Sequence, residues 1–406
     1  MKRSNLDALI LEQERIPVLD RAHIEAIQLE KLNRLLAREK ARNGFYRHLP
    51  ERLDSLAALA ELPFTSDEEL AANAAGMLLT SQSEIRRVLP DATSGTTGTP
   101  KRVFYTDGDC ENTVRLYMAG LSELIGPGSV TLIGFPFSGP FGLGELIAEA
   151  ITRLGARPLK AGPTLRFGDY RELLERERPD TFVGMPVQLL GILRFAGKGS
   201  LRRALVSGDA CPESVLRGSE AILGSRLFPH YGSREMGMAG AVSCPAHEGM
   251  HLRENMILPE IVAPDGTVLP RGQEGELVIT TIGMEALPLI RYRTGDYTRI
   301  LPEPCPCGSE LLRLGRIRRR TEGPDMEALD EAAFACEGVV DCLASLSGTK
   351  LSVRALLLEE TAEAALAQAL AARFPDLELR VDPMIVRPES RALYSGKRRI
   401  LRSPGG

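Results

Sequence analysis

From residue 130 onward, short apolar runs alternate with stretches of helical periodicity, and this alternation restricts the possible folds more than any other feature. The runs are VTLIGF (130–135), TFVGM (181–185) and RALVSG (203–208), and the helical stretches lie at 143–153, 169–177, 187–195 and 213–223. Strands that alternate with helices form βαβ units, in which consecutive strands are parallel. We therefore predict an α/β fold with mixed, mostly parallel sheets flanked by helices.

The length of the chain predicts two domains, because 406 residues are more than one core usually holds. Apolar residues recur at helical spacing in 22–42, and Ser66 with Glu69 predicts a capping box for a helix over 67–75. Strands dominate 257–301. The C-terminal elements are a helix near 329–336, strands at 340–347 and 350–358, a helix at 361–373 and a strand at 378–386. We predict a large N-terminal domain (1–320) and a small, mobile α+β domain (321–406), joined by a hinge at 316–324.

Composition and charge argue against several classes of protein. The net charge of −4 gives no nucleic-acid signal, and no apolar stretch reaches the length of a membrane span. The first 17 residues carry acids inside their apolar run, unlike a secretory signal, and seven cysteines are too few for a disulfide framework. We therefore expect a cytoplasmic protein with neither nucleic acid nor membrane as a partner, and we leave a homodimer open.

Residues 93–101 read TSGTTGTPK and predict a site for a polyphosphate. Glycine lets the backbone approach an anion closely, consecutive N–H groups form an anion nest, and Lys101 adds a full positive charge. The backbone and hydroxyl donors come from Thr93, Ser94, Gly95, Thr96, Thr97 and Gly98. The GxxxxGK[ST] spacing of a Walker loop is absent. The alternative interpretation of such a loop is a flexible connection.

The 93–101 string resembles the phosphate-binding signature of the adenylate-forming superfamily, and nearly the whole chain resembles the phenylacetate-CoA ligase family. The motifs are NGFYR (43–47), LPFTS (62–66), GDACP (208–212), HYGSREMG (230–237), LPLIRYRTGD (287–296), CPCG (305–308) and SGKRR (395–399). The resemblance implies ATP-dependent activation of a carboxylic acid, with an aryl or arylacetic acid favoured, to acyl-AMP and pyrophosphate. Transfer of the acyl group to CoA follows, so ATP, Mg²⁺ and CoA are the implied cofactors.

The resemblance also implies roles in nucleotide binding. Glu235 would hold Mg²⁺ near the α-phosphate, Asp296 would accept hydrogen bonds from both ribose hydroxyls, and Arg320 is the candidate for the ribose-side arginine. The residues placed around the adenine are Gly208, Asp209, Ala210, Tyr231 and Gly232. The alternatives are a helix cap for Glu235 and an ordinary turn residue for Asp296.

Two further roles concern the acyl group. Lys397 would reach the α-phosphate and the carboxylate oxygen when the small domain closes, and would stabilise the charge of the adenylation transition state. Its alternative is a solvated lysine in a basic tail. Phe137 and Phe141 are candidates for lining the acyl pocket, although side-chain packing explains them equally well.

The cysteines and histidines near the CPCG motif predict a structural zinc site. Three thiolates and one imidazole, from Cys244, Cys305, Cys307 and His251, form a common structural zinc set, and some members of the resembled family carry a similar set. Four protein ligands leave no open position for catalysis. His247 is an alternative fourth ligand, and free, reduced cysteines are the alternative to a metal.

The segment 318–334, RRRTEGPDMEALDEAAF, departs from the family pattern. Glu322 occupies the hinge-acid position, but the RGVNVFP segment that forms the pantetheine passage in the family is replaced. A second hypothesis is therefore an adenylating enzyme that transfers the acyl group to an amine or a carrier thiol. A third is a nucleotide-binding regulatory protein built on a decayed ligase scaffold.

Overall fold

A computed structural model describes residues 4–90, 101–319, 324–394 and 396–402 of the chain. Its internal contacts divide the chain into two compact units, Met1–Glu123 with His230–Arg320 and Leu124–Pro229 with Thr321–Gly406. The predicted α/β class is confirmed. The predicted domains 1–320 and 321–406 stay a prediction. Within the described residues, none of the helices combines the length and apolarity needed to cross a bilayer.

The first unit combines helices with three small sets of antiparallel strands. Its α-helices are Asn5–Glu14, Arg21–Ala41, Asp67–Asn73 and Asp107–Leu121, and its 3₁₀ turns are Leu56–Glu61, Gln82–Glu84 and Arg234–Met236. Its four-stranded sheet has the order Leu258–Val262, Gly275–Thr280, Tyr292–Thr298 and Arg318–Arg319. Its other strands are the hairpin Arg87–Pro90 and Arg102–Tyr105, and the series Arg313–Leu314, Met250–Leu252, Ala241–Ser243 and the end of Phe228–Tyr231.

Local signals in the sequence explain the helices of the first unit. The Ser66 hydroxyl accepts from the N–H of Glu69, and the Glu69 carboxylate accepts from the N–H of Ser66, which confirms the predicted capping box. Helix Arg21–Ala41 buries Leu32, Leu35 and Leu36 along one face. The apolar stripe predicted for 22–42 therefore packs into a core, as expected of an amphipathic helix.

The second unit contains the predicted parallel sheet and a smaller sheet. The parallel strands have the order Arg157–Lys160, Val130–Ile133, Thr181–Gly184, Arg203–Val206 and the start of Phe228–Tyr231. The helices of this unit are Leu143–Arg153, Phe167–Glu177, Pro186–Ala196, Glu213–Leu223, Met326–Phe334 and Ala362–Arg373. The smaller sheet has the order Glu378–Ile385, Lys350–Leu357, Val339–Ser347 and Leu401–Arg402. All predicted helices and strands of 130–223 and 329–386 are present, shifted at their ends by a few residues.

Inside the second unit, the C-terminal helix Met326–Phe334 packs against the helices of the parallel-sheet region. Leu190 and Val215 of those helices share one buried apolar cluster with Leu329 and Phe334. The Arg194 guanidinium donates to the Phe334 carbonyl oxygen at 2.8 Å. The C-terminal α+β segment is thereby held on helices Pro186–Ala196 and Glu213–Leu223 by burial and by hydrogen bonding.

Candidate active site

In the first unit, Tyr231 and Asp296 form a buried hydrogen-bonded pair. The Tyr231 hydroxyl donates to Asp296 Oδ2 at 2.8 Å, and burial together with the charge of Asp296 raises the pKa of Tyr231 well above its usual value. Strand Tyr292–Thr298 carries Asp296, whereas Tyr231 lies immediately after His230 at the end of a strand. The Tyr231 hydroxyl occupies Oδ2, so Asp296 Oδ1 keeps its capacity to accept from a further donor.

The cation beside Asp296 is Arg319, which the sequence did not single out. Arg319 lies opposite Asp296 in the register of strands Tyr292–Thr298 and Arg318–Arg319, and its Nε lies 3.5 Å from Asp296 Oδ1. The predicted ribose-side residue, Arg320, lies outside the described residues. Four arginines in positions 316–320 gave no basis for choosing among them, and only the strand register identifies Arg319 as the partner of Asp296.

Lys101 and Glu235 form a buried ion pair at the end of the predicted phosphate loop. Lys101 Nζ lies 2.7 Å from Glu235 Oε1 and 3.0 Å from both Asp67 Oδ1 and the Tyr292 hydroxyl. Burial opposes the charge on Lys101, but attraction to Glu235 and Asp67 outweighs it and raises the pKa of Lys101. Burial likewise opposes the charge on Glu235, yet Lys101 lowers the pKa of that carboxyl. Both groups are therefore ionised at neutral pH.

Asp67 and Tyr292 were not predicted as site residues. Asp67 directly follows the LPFTS motif, and Tyr292 lies inside the LPLIRYRTGD motif. The tyrosine hydroxyl also donates to the Asp67 carboxylate. The residues 93–98 of the predicted phosphate loop lie outside the described residues, but the flanking strands pair antiparallel, with Pro90 opposite Arg102. Lys101 is thus fixed at the end of that segment by three partners.

In the second unit, the segment 208–210 follows strand Arg203–Val206. Gly208 has φ +87°, and a Cβ there would lie 2.9 Å from the Phe135 ring, so the position requires glycine. The Asp209 carboxylate accepts from the backbone N–H groups of Arg398 at 2.7 Å and Ala210 at 2.9 Å. Burial nevertheless raises the pKa of Asp209.

The predicted catalytic lysine lies in the same unit as Asp209. The Lys397 side chain is exposed, whereas that of the next residue, Arg398, is buried. The positive charge of Lys397 acts on Asp209 and favours its ionised form. The structure therefore brings the terminal SGKRR motif to the 208–210 segment within one unit.

A cavity lies beside Asp209 and Arg398, with an empty volume of about 460 Å³ that includes space open to solvent. Its lining is mainly apolar and aromatic and includes Phe167, Tyr170, Met185, Val187, Ile192 and Tyr394. Phe137 and Phe141 do not line this cavity, and their assignment to an acyl pocket stays a prediction. Gln188 contributes a polar edge, where its Nε2 donates to the Tyr170 hydroxyl at 2.9 Å.

All four predicted zinc ligands meet in the first unit. The ligand atoms of Cys244, His251, Cys305 and Cys307 lie within 4.8 Å of one another, and all four residues are buried. Cys244 Sγ is 3.7 Å from Cys305 Sγ, and Cys307 Sγ is 3.3 Å from His251 Nε2. The alternative ligand His247 is not part of this cluster.

The chain is similar in sequence and in fold to several known proteins. Residues 68–285 match the family model described as AMP-binding enzyme. A phenylacetate-coenzyme A ligase of Thermus thermophilus is 32% identical over 336 residues, which cover 77% of this chain and 74% of the relative. A protein of the same name from Escherichia coli is 29% identical over 321 residues, which cover 74% and 71%.

A solved structure of 2-hydroxyisobutyryl-CoA ligase in the postadenylation state, in complex with R3-HIB-AMP, has the same fold. It superposes with a TM-score of 0.77 over 95% of this chain and 90% of that chain, at 18% sequence identity. At that identity the similarity concerns the arrangement of helices and strands.

Proposed function

The chain belongs to the AMP-binding enzyme family and, within it, to the phenylacetate-CoA ligase family, and from this premise we propose that it activates a carboxylic acid with ATP. The acid and ATP give acyl-AMP and pyrophosphate, and the thiol of CoA then displaces AMP to give the acyl-CoA thioester. We propose an aryl or arylacetic acid as the substrate, in keeping with the names of the relatives.

The observation that carries this proposal is the buried pairing of Lys101 with Glu235. A cation at the end of a Gly/Ser/Thr loop and a carboxylate beside it are the two groups needed to bind a polyphosphate with its metal ion. A buried ion pair contributes little to stability on average, so a structural role alone gives a weak reason for this arrangement. The pair fits a binding site in which Lys101 and Glu235 separate when the ligands arrive, so that the lysine contacts phosphate and the glutamate contacts the metal ion.

We propose that Glu235 holds Mg²⁺, because Mg²⁺ binds through one or two carboxylates together with substrate phosphate oxygens. Glu235 is ionised and buried, and the Asp67 carboxylate contacts the same lysine, Lys101. Two carboxylates are therefore close together, and this set of oxygen ligands fits Mg²⁺. When bound, Mg²⁺ would neutralise phosphate charge. Lys101 would then turn from Glu235 toward the phosphates, and Asp67 and Tyr292 would keep its ammonium group near the loop.

We propose the remaining roles from the contacts within each unit. In the first unit, Asp296 accepts from the ribose hydroxyls, and Tyr231 and Arg319 orient its carboxylate. In the second unit, the 208–210 segment offers backbone atoms for a contact, and Gly208 has no Cβ that would obstruct it. Lys397 supplies a positive charge for the transition state of adenylation, where charge develops on the reacting carboxylate and α-phosphate.

The experiment that tests the function is acid-dependent ATP–pyrophosphate exchange over aryl, arylacetic and short aliphatic acids, followed by CoA-dependent AMP release. We expect exchange with at least one aryl or arylacetic acid and AMP release on addition of CoA. If acyl-AMP forms but CoA releases no AMP with any of the acids tested, an amine or a carrier thiol would be favoured as the acceptor. ATP binding without exchange across the panel would favour the regulatory hypothesis.

We also propose that the Cys244, His251, Cys305 and Cys307 cluster holds a structural zinc ion. With Zn–S near 2.3 Å and Zn–N near 2.0 Å, a tetrahedron has S···S edges of about 3.8 Å and S···N edges of about 3.5 Å. Two of the six separations, at 3.7 and 3.3 Å, are close to these edges, and all six are within 4.8 Å. The ion would fix the loop that carries the CPCG motif to strand Met250–Leu252.

Elemental analysis of the purified protein is expected to find one zinc per chain. Cys305→Ser should lose the metal, and the melting temperature should fall by roughly 5–10 °C because binding free energy of a structural metal is folding free energy. The control is Cys336→Ser, which alters a half-buried thiol of the second unit and should keep the zinc. Stable, active protein without stoichiometric metal would contradict the proposal.

A further inference from the structure

We propose that Arg398 is a positioning residue that fixes the backbone on which Lys397 stands, an inference that rests on the proposed adenylation activity. Lysine has a long, flexible side chain, so its ammonium group is directed only as well as its backbone is held. In the segment 396–402, the side chain of Lys397 is exposed and that of Arg398 is 6% exposed. The two neighbours therefore point to different environments, one to solvent and one to the protein interior.

The guanidinium of Arg398 is held from several directions at once. Nε and Nη2 donate to Asp330 at 2.9 Å, Nη1 donates to Asp341 Oδ1 at 2.6 Å, and Nη2 also donates to the Cys342 carbonyl oxygen at 2.7 Å. The guanidinium carbon also lies 4.7 Å from the centre of the Tyr394 ring. Helix Met326–Phe334 and strand Val339–Ser347 thus fix one planar group whose five N–H donors have fixed directions.

Charge balance explains why this arginine can be buried. Burial alone would lower the pKa of Arg398, but Asp330 and Asp341 raise it well above its usual value. Burial raises the pKa of Asp330 to about 6, and the charges of Asp209 and Asp341 add to this effect, although Arg398 opposes it. Arg398 is thus the cation that the buried Asp330 and Asp341 share, and a lysine at position 398 could not reproduce the planar, forked contacts.

The backbone of the same residue is fixed separately. Its N–H donates to Asp209 Oδ2 at 2.7 Å, and Asp209 stands between Gly208 and Ala210. The peptide that joins Lys397 to Arg398 is therefore held by the 208–210 segment through its N–H group. The buried guanidinium of Arg398 holds the same residue against helix Met326–Phe334 and strand Val339–Ser347. Since adjacent Cα atoms are about 3.8 Å apart, fixing Arg398 fixes the origin of the Lys397 side chain.

The test is a double-mutant cycle between positions 397 and 398, read out as acid-dependent pyrophosphate exchange. Arg398→Lys should lower kcat about 10- to 100-fold, the range expected when a catalytic group is misplaced by about 1 Å, with KM for ATP within about twofold. In the Lys397→Ala background the same Arg398→Lys change should have almost no further effect, because the group that Arg398 positions is already gone.

A matched control separates positioning from general destabilisation. Leu366→Ala removes a fully buried side chain from the apolar cluster that includes Leu329 and Phe334, and it deletes none of the hydrogen-bond partners of Arg398. It should lower the melting temperature at least as much as Arg398→Lys, while kcat stays within about twofold. If Arg398→Lys does not fold, Asp330→Asn removes one of the two carboxylates with little change in volume. It should lower kcat less than Arg398→Lys and show the same dependence on Lys397.

The outcomes distinguish this inference from the function on which it rests. Absence of exchange in the unsubstituted protein would refute the adenylation activity itself. Normal exchange in that protein, combined with a kcat for Arg398→Lys within about twofold or with effects of the two substitutions that multiply, would overturn the positioning role alone.

Discussion

Alanine in place of Lys397 is expected to lower the rate of acid-dependent pyrophosphate exchange about 10²- to 10³-fold, the loss typical of removing one preorganised donor from a transition state. The Lys397 side chain is exposed, so its removal deletes no buried packing. The free energy of unfolding should therefore change by no more than about 0.5 kcal/mol, as is usual for surface substitutions. A large loss of rate with nearly unchanged stability would identify a group that acts in the chemical step.

The control for this substitution is Lys350→Ala. Lys350 is also an exposed lysine of the second unit, at the start of strand Lys350–Leu357, and has no proposed role in the reaction. Its replacement should leave exchange within about twofold of the unsubstituted rate, in line with a surface charge that touches no substrate. An unchanged rate for Lys397→Ala would refute the role of this lysine while leaving the activity itself intact.

The local part of the fold could be predicted from the sequence because short-range interactions determine it. The alternation of apolar runs and helical stretches gave the parallel strands and helices of 130–223, and Ser66 with Glu69 gave a helix start. Helical periodicity and capping depend on residues three or four positions apart, which are visible in a sequence. Cys244, His251, Cys305 and Cys307 could be grouped because their side-chain chemistry is rare and specific.

The partners of the site residues could not be predicted, since they depend on strand register and packing between distant segments. Asp67 and Tyr292 lie 225 positions apart in the sequence, yet they contact each other and both contact Lys101. Among four neighbouring arginines, only the register of two strands distinguishes Arg319. Arg398 looked like one more basic residue of a solvated tail, yet it is buried against acids that the sequence places more than fifty positions away.

Arg291→Met is expected to lower the free energy of unfolding by about 3–5 kcal/mol, the cost of leaving one member of a buried ion pair without its partner. Arg291 is 2% exposed, and its Nε and Nη2 donate to the Glu260 carboxylate at 2.9 and 3.0 Å. A third nitrogen, Nη1, donates to the Ala60 carbonyl oxygen at 2.7 Å. Burial already raises the pKa of Glu260 even with Arg291 beside it, so without the arginine this carboxyl would be strongly destabilised in its charged form.

Chemical denaturation of three variants measures this effect. The double variant Arg291→Met with Glu260→Met should be more stable than Arg291→Met alone, because it removes the orphaned charge together with its partner. Arg34→Ala, which breaks an exposed pair with Glu30, should cost no more than about 1 kcal/mol. A loss of less than about 1 kcal/mol for Arg291→Met would show that Glu260 finds another partner or takes up a proton at little cost.

The position of Arg291 explains why a purely structural residue stands within the LPLIRYRTGD motif. Its guanidinium contacts the carbonyl oxygen of Leu62 and stacks on Phe64 at 4.1 Å, which fixes the LPFTS segment to the start of strand Tyr292–Thr298. Tyr292 follows directly and contacts Lys101, and Asp296 lies four residues further along the same strand. Arg291→Met should therefore weaken ATP binding as well as folding, since Tyr292, which contacts Lys101, and Asp296, which is proposed to bind the ribose, lie on the strand whose start Arg291 fixes.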